Sequence, residues 1–480
     1  MSESQTVVPA LKGDIGRFQL FAFGFGSIIG SAWCVLVGSW LASAGPGGAV
    51  LGFVAGGIVV ACIGACYAEL TSRIPVTGGE FSFALHVFGR SLAFYVGWFI
   101  ALAWICVAIF EGLAVAWLFE RLAPGIKDVA LYTAFGTNVT RNQLMIGCIG
   151  APLIAFLNYT GGQTLARFHS LLTYGFISIA LGMVVLMLFQ GSAANLAPFL
   201  PSGKTVWWQG AAGIFANCAF LLCGFQAISQ VVEEKSARVS FQSVFRILVL
   251  AIGAATGFYC LVVIATGVMI PWPSLLANSL AFVEGTRLLA WGQVLVPLVL
   301  LTAMFSLVKT WNGVFLMAAR TIIALARNGF LPAWMNKWHG RSGVPAPVVL
   351  VIFSLNIVGL TLGRGAVGIL VDTITISLVF GYAICCIALP VLRRREGRLR
   401  PGTVTAPDAV VAVGVVGSVV MACVAIVMPP FLAGGFPPVY LIFPGWGLIG
   451  AVTFVCVRGA RRGPAFGIDG GTSPVLLPEK

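Results

Sequence analysis

The chain has 480 residues, of which 59% are hydrophobic and only 9% charged, against about 25% charged in an ordinary soluble domain, and this excludes a water-soluble globule. A formal charge of +13 would suit a nucleic-acid binder if the basic residues shared one surface, but they recur at the ends of apolar stretches, where they mark one side of a membrane. Twelve cysteines are scattered through apolar segments with no C-x-x-C pair, which supports neither a disulfide framework nor a metal site.

Met1 to Ile15 is polar, contains Pro9 and carries acids. It lacks the basic and apolar regions of a cleaved signal, so the first membrane helix is expected to direct insertion. No charge occurs between Arg17 and Glu69, or between Asp408 and Arg458, and each gap has room for two crossings of ~20 residues. Gly45-Pro46-Gly47-Gly48 divides the first gap, and Pro429, Pro430, Gly434, Gly435, Pro437 and Pro438 divide the second; both read as helical hairpins. Hydropathy predicts twelve helices, at about 18–43, 49–70, 91–119, 142–159, 170–190, 208–232, 244–270, 291–319, 346–363, 366–391, 409–432 and 439–457. With the N-terminus inside, twenty-one Lys and Arg residues lie on the cytoplasmic side. Six lie opposite: Arg121, Lys127, Arg141, Lys204, Arg287 and Arg364. The positive-inside rule then predicts a multi-pass cell-membrane protein with both termini cytoplasmic.

The first helix carries Gly24, Gly26, Ser27, Gly30 and Ser31 near its midpoint, and the sixth carries Cys223 and Gly224 near its own. Glycine costs a helix about 1 kcal/mol relative to alanine and marks places where it can unwind. Unwound backbone at membrane depth must line a cavity rather than face lipid. Helices one and six hold the same place in two successive sets of five, as an inverted-repeat carrier requires. The competing reading is close packing by small residues, which suits Gly52, Gly56 and Gly57 of helix two.

Local motifs add to this pattern. Gly26-Ser-Ile-Ile-Gly-Ser-Ala-Trp33 resembles the first-helix signature of the amino acid-polyamine-organocation transporters. Ala68-Glu-Leu70, Arg73-Ile-Pro75, Thr77-Gly-Gly-Glu80 and Gly97-Trp98 are similar to the signatures after its second helix. Phe220-Leu-Leu-Cys-Gly-Phe-Gln226 with Glu233-Glu234 resembles its sixth helix, Ala326-Arg-Asn-Gly-Phe-Leu-Pro332 the loop after its eighth, and Leu392-Arg-Arg-Arg395 the end of its tenth. The five occur in order over residues 18–400.

The resemblance implies an all-α membrane protein of about 12 transmembrane helices, with a LeuT-type 5+5 inverted repeat plus two C-terminal helices. Residues 1–17 would form a cytoplasmic N-terminal segment, 18–400 the core (repeats at about 18–203 and 204–400), 401–457 helices eleven and twelve, and 458–480 a cytoplasmic tail. It implies a secondary permease for amino acids that works by alternating access, or for amines or polyamines as the alternative. On the same basis, Gly30, Ser31 and Ala32 would offer backbone N–H groups to a carboxylate, as helix termini do. Ile28, Phe220 and Cys223 would offer carbonyls to an ammonium, next to Gly224, Phe225 and Gln226, with Phe225 as a gate. Two departures stand out. Ala32 replaces the family's second glycine, which narrows the substrate to a small one or one without a carboxylate, and Gln226 replaces a titratable acid.

Two charges lie inside helices. Glu111 in helix three has three readings: it attracts a cationic substrate, pairs with a basic residue, or sits protonated on a packed face. Lys309 lies ~16 Å from Arg320 along helix eight, beyond the reach of its stem to water, on a face with Thr302, Ser306, Asn312 and Gly313. Its readings are an ammonium that stands in for a bound cation and exchanges protons, a static pair with Glu111, and a misjudged face. Proton coupling or exchange is therefore expected. Glu69, Glu80, Glu233 and Glu234 read as structural or gating ion pairs among nearby arginines.

Aromatics bordering the cavity would come from Trp33, Trp104, Tyr174, Phe225, Trp311 and Tyr382. Three histidines, His86, His169 and His339, sit at expected loops or helix ends and form no ligand cluster, and no G-x-G-x-x-G follows a strand. An enzyme, a resident cofactor, a metal and a nucleic-acid partner are all unexpected, and no selectivity-filter motif suggests a channel. The expected partners are a small-molecule substrate and the lipid bilayer.

Overall fold

The computed structural model describes residues 16–460 apart from 77, 124–128, 161–162, 202–206, 231–238, 276–279, 337–344, 399–401 and 434–435. Thr77, Glu233 and Glu234 of the motifs above thus lie outside the described residues. The first expected crossing is α1 (Arg17–Ile28), an interruption at residues 29–31, α2 (Ala32–Val35) and the start of α3 (Val37–Arg73). Gly45, at φ 65° and ψ 174° and followed by Pro46, breaks α3 where the first hairpin was predicted. A side chain at that φ is strained, so glycine belongs there.

The helices at the remaining expected crossings follow in order: α5 (Arg90–Leu122), α6 (Arg141–Thr160), α7 (Gln163–Gln190), α8 (Trp207–Leu221) with α9 (Gln226–Gln230), α10 (Phe241–Met269), α12 (Gly292–Arg327), α13 (Ala346–Leu360), α14 (Val367–Glu396), α15 (Asp408–Ala433) and α16 (Val439–Ala460). Among the described residues, ten segments are long and apolar enough to cross a membrane, and α13 is a shorter apolar helix. Hydropathy did not foresee the short helices α4 (Glu80–Phe88) and α11 (Ala281–Arg287). Nor did it foresee a two-stranded hairpin, β1 (Ala130–Ala134) with β2 (Thr137–Thr140). Phe135 and Gly136 both have positive φ at its tip, the geometry a two-residue hairpin turn requires. Thr137 Oγ1 accepts the Gly365 N–H at 2.8 Å, which seats the hairpin on the start of α14.

Helix α5 is enclosed through the middle of its apolar stretch, whereas α15 and α16 lie at the rim. Close approach explains the glycines of α3: a Cβ on Gly52 would meet the Ala211 carbonyl at 2.7 Å, and one on Gly56 would meet Cys218 Sγ at 2.5 Å. The α5–α16 seam is held by Trp98 and Trp446, whose rings stack at 4.7 Å. Each donates its indole N–H to the other's carbonyl, at 2.9 and 3.0 Å.

The end of α3 bears a buried ionic junction. Glu69 accepts from Arg73 Nε at 2.9 Å, from Arg393 Nε of α14 at 2.9 Å and from the Ala406 N–H at 2.8 Å. Arg73 also donates to the Gly397 and Arg398 carbonyls, and Arg393 to Asp408. The Glu69 and Arg73 side chains are both fully buried, so loss of one partner strands charge in a dry site, at about 3–5 kcal/mol. Glu69→Ala is therefore expected to lower the thermal midpoint of the detergent-purified protein by several degrees. Glu284→Ala, which breaks the exposed Arg287 pair, should leave it nearly unchanged. Equal midpoints for the two variants would refute the junction's role.

Candidate substrate site

Helix α1 ends because Ile29 is extended, at φ −90° and ψ 98°, and its carbonyl and that of Gly30 no longer serve a helix. Side chains of α12 take them up. Ser306 Oγ lies 3.0 Å from the Ile29 oxygen and 3.1 Å from the Gly30 oxygen, and Lys309 Nζ donates to the Ile29 oxygen at 3.3 Å. The acceptors of the break are thus satisfied by protein. Its donors are not: the Gly30 and Ser31 N–H groups make no hydrogen bond within the described residues.

The sixth crossing breaks opposite. Helix α8 stops at Leu221, Gly224 takes φ 101°, and α9 begins at Gln226. Gln226 Oε1 accepts the Gly224 N–H at 2.8 Å, and its Nε2 donates to Tyr382 Oη at 2.8 Å. A Cβ on Gly224 would overlap the Ser27 carbonyl group and lie 2.8 Å from the Ile28 nitrogen. The two breaks therefore touch backbone to backbone.

A narrow cavity lies beside this contact, and Ser27, Ile28, Gly30, Ser31, Ala32, Glu111, Phe220 and Cys223 contribute to its wall. Of the expected residues, Gly224, Phe225 and Gln226 stand behind that wall. Phe225 is fully buried between Tyr67 and Tyr382, with ring centroids at 5.3 and 5.7 Å. Lys309 also lies outside the wall, behind the α1 break, with its ammonium 5.0 Å from the Phe176 ring of α7. Its helix face is polar: Asn312 bonds Asn158 at 2.8 Å, and a Cβ on Gly313 would lie 3.3 Å from Ser27 Oγ.

Glu111 is the one charged side chain in the wall. Its Oε1 stands 2.6 Å from where a Gly30 Cβ would be, so the acid and the unwound backbone fit only because residue 30 has no side chain. It forms no ion pair with Lys309 among the described residues. Three buried polar atoms of the lining lack a partner: Ser27 Oγ, Ser31 Oγ and Glu111 Oε2. Each such atom costs about 1–3 kcal/mol if left unmet.

Tyr259 of α10 and Phe110 also line the cavity; Tyr259 stands in a mostly apolar stretch of α10, so no pattern pointed to it. Trp33, Trp104, Trp311 and Tyr382 are fully buried outside the wall, and Tyr174 is 39% exposed. His169 is no loop residue: it is buried in α7, and a Cβ on Gly26 would lie 2.9 Å from its Nε2. The described residues hold no cluster of three His, Cys, Asp or Glu suited to a metal.

The sequence matches the amino acid permease family over residues 15–449. It is 24% identical over 410 residues to the methylthioribose transporter of Bacillus subtilis, covering 83% of this chain and 85% of that one. It is 27% identical to the aspartate-proton symporter of the same organism, covering 79% and 73%. It is 25% identical to the human Asc-type amino acid transporter 1, covering 82% and 74%. A match of this extent, on a chain with ten membrane-length apolar helices, is decisive: the chain belongs to the amino acid permease family and is a multi-pass membrane transporter, not an enzyme.

Proposed function

We propose that this chain is a secondary active carrier that holds a small amino acid between the α1 and α8–α9 breaks and exposes it to each side of the cell membrane in turn. The observation that carries this reading is the set of unmet groups around one cavity: two backbone N–H groups and two hydroxyls stand near one carboxylate. A zwitterion is complementary to that set. Its carboxylate would take the Gly30 and Ser31 N–H groups and the Ser31 hydroxyl, and its ammonium would face Glu111 Oε2. The aspartate-proton and Asc-type relatives support the amino acid class. We infer twelve crossings in a 5+5 inverted repeat plus two, with both termini cytoplasmic, from the helix order and the distribution of basic residues.

The second reading is an amine permease, favoured by Glu111 as the sole charge in the wall. Uptake of a labelled panel of amino acids, competed by their decarboxylated amines, separates the two. Under the zwitterion reading Glu111→Gln weakens every amino acid by roughly tenfold or more, since a charge-assisted bond contributes about 1.5–3 kcal/mol. Under the amine reading it spares neutral substrates.

Binding requires the two breaks to stay in contact. Gly224→Val places a branched side chain at positive φ against the Ser27 carbonyl and is expected to abolish uptake and counterflow while the protein still inserts. Normal counterflow in this variant would overturn the location of the site.

For coupling, we propose that the Lys309 ammonium does the work of a bound cation at the α1 break and exchanges a proton during the cycle. Uptake into proteoliposomes should then be independent of sodium and respond to an imposed pH gradient, and Lys309→Ala should lose that response. A strict sodium requirement would refute this role, as would an unchanged pH response in the variant.

A further inference from the structure

Two acids at the basic ends of the helices have opposite surroundings. Glu69 is held by two guanidinium groups. Glu80, eleven residues on, opens α4 after Gly78 and Gly79, which both have positive φ. It was expected to form an ion pair, and it forms none: it is fully buried, and the described residues place no Lys, Arg or His beside it. Arg73, the basic residue of the adjoining motif, is committed to Glu69 and to two carbonyls.

The groups facing Glu80 are few and neutral. Tyr67 Oη of α3 donates to its Oε1 at 3.4 Å, the Gln226 amide of α9 faces it, and Tyr382 and Cys385 of α14 lie nearby. Its Oε2 has no partner. Burial pushes the carboxyl up to about 7 despite the hydrogen bonds from Tyr67 and Gln226. An ionised carboxylate with no cation in a dry site is costly, and the usual relief is to take a proton.

The same contacts lead to the break in the sixth crossing. Gln226 bonds the Gly224 N–H and Tyr382 Oη, and Tyr382 Oη bonds the Ala219 carbonyl at the end of α8. Whatever separates α4, α9 and α14 enough to wet Glu80 also disturbs the segment that touches Ser27.

We propose that Glu80 is a proton-binding site of the transport cycle, loaded while α4, α9 and α14 are packed together and emptied to water when they part. This rests on the reading of the chain as a proton-coupled carrier. The step is a simple dissociation: the carboxylic O–H bond breaks, the electron pair stays on oxygen, and water takes the proton. In the packed arrangement the carboxyl holds its proton up to about pH 7, whereas a hydrated glutamate releases it near about 4.3. The packed arrangement is therefore fully favoured below the hydrated value. It loses that advantage as pH rises toward and through the packed value.

The test uses the full-length protein in proteoliposomes with a labelled amino acid that the parent transports. Glu80→Gln keeps the shape and is permanently neutral. It should retain counterflow, with a rate that depends less on pH than the parent's between about pH 5.5 and 8.5, a range that brackets the shifted value. It should lose the concentrative uptake that a pH gradient drives, which for one proton per substrate reaches at most about tenfold per unit of gradient. Gradient-driven accumulation equal to the parent's overturns the proposal. A parent that shows saturable counterflow but no response to a pH gradient overturns the coupling reading instead, and a parent without counterflow overturns the carrier itself. Should Glu80→Gln fail to fold, Tyr67→Phe removes the hydroxyl that favours the ionised form. It should move the midpoint of pH-dependent counterflow to higher pH, and an unmoved midpoint overturns the proposal.

Discussion

Inside a bilayer every backbone N–H and C=O needs a partner, and an interrupted helix is stable only where another element supplies one. In this chain the interruption at residues 29–31 is settled from one side only. Ser306 and Lys309, three residues apart on one face of α12, cover the Ile29 and Gly30 carbonyls, while the Gly30 and Ser31 N–H groups stay open. That asymmetry turns a packing defect into a site with polarity. Because α5 runs along α12 and is enclosed on all sides, it brings Glu111 against Gly30, and the absent side chain at residue 30 makes room for the carboxylate.

The break in the sixth crossing follows a different logic, and it explains why residue 226 is an amide. Gln226 must accept from the Gly224 N–H and donate to Tyr382 Oη at once. A carboxylate only accepts, so a glutamate here would leave one bond unmade or need a proton of its own. The amide closes the break without titrating. Titration in this region then falls to the neighbouring Glu80, whose free oxygen has no fixed donor.

How far the site can be read from residues alone depends on the range of the interaction. Helix positions are legible because a crossing is a local property of apolar length, and both breaks are legible because glycine marks them locally. Phe225 and Gln226, eye-catching within their motif, prove to stand behind the cavity, since their positions depend on Tyr67 and Tyr382 from other helices. The two acids were indistinguishable for the same reason. Each has arginines nearby in the chain, but Arg73 reaches Glu69 and is joined there by Arg393, 324 residues away, whereas among the described residues no cation reaches Glu80. The hairpin at β1–β2 and the short helices α4 and α11 escaped hydropathy because none has the length of a crossing.

Charge balance at the α1 break bears on what the cavity accommodates. Lys309 and Glu111 bring one basic and one acidic group to the same unwound backbone without touching, the lysine on the Ile29 carbonyl behind it and the acid at the cavity wall. Buried charges of opposite sign that share a dry site reduce each other's cost even without contact. A zwitterion adds no net charge to this arrangement and divides its own two ends between the open N–H groups and the acid. A simple amine would satisfy Glu111 but leave those N–H groups unmet, each at about 1–3 kcal/mol. A simple anion would meet the N–H groups and face Glu111 at close range. Under the proposed carrier reading, the unmet groups are complementary to a ligand with both an ammonium and an acceptor group.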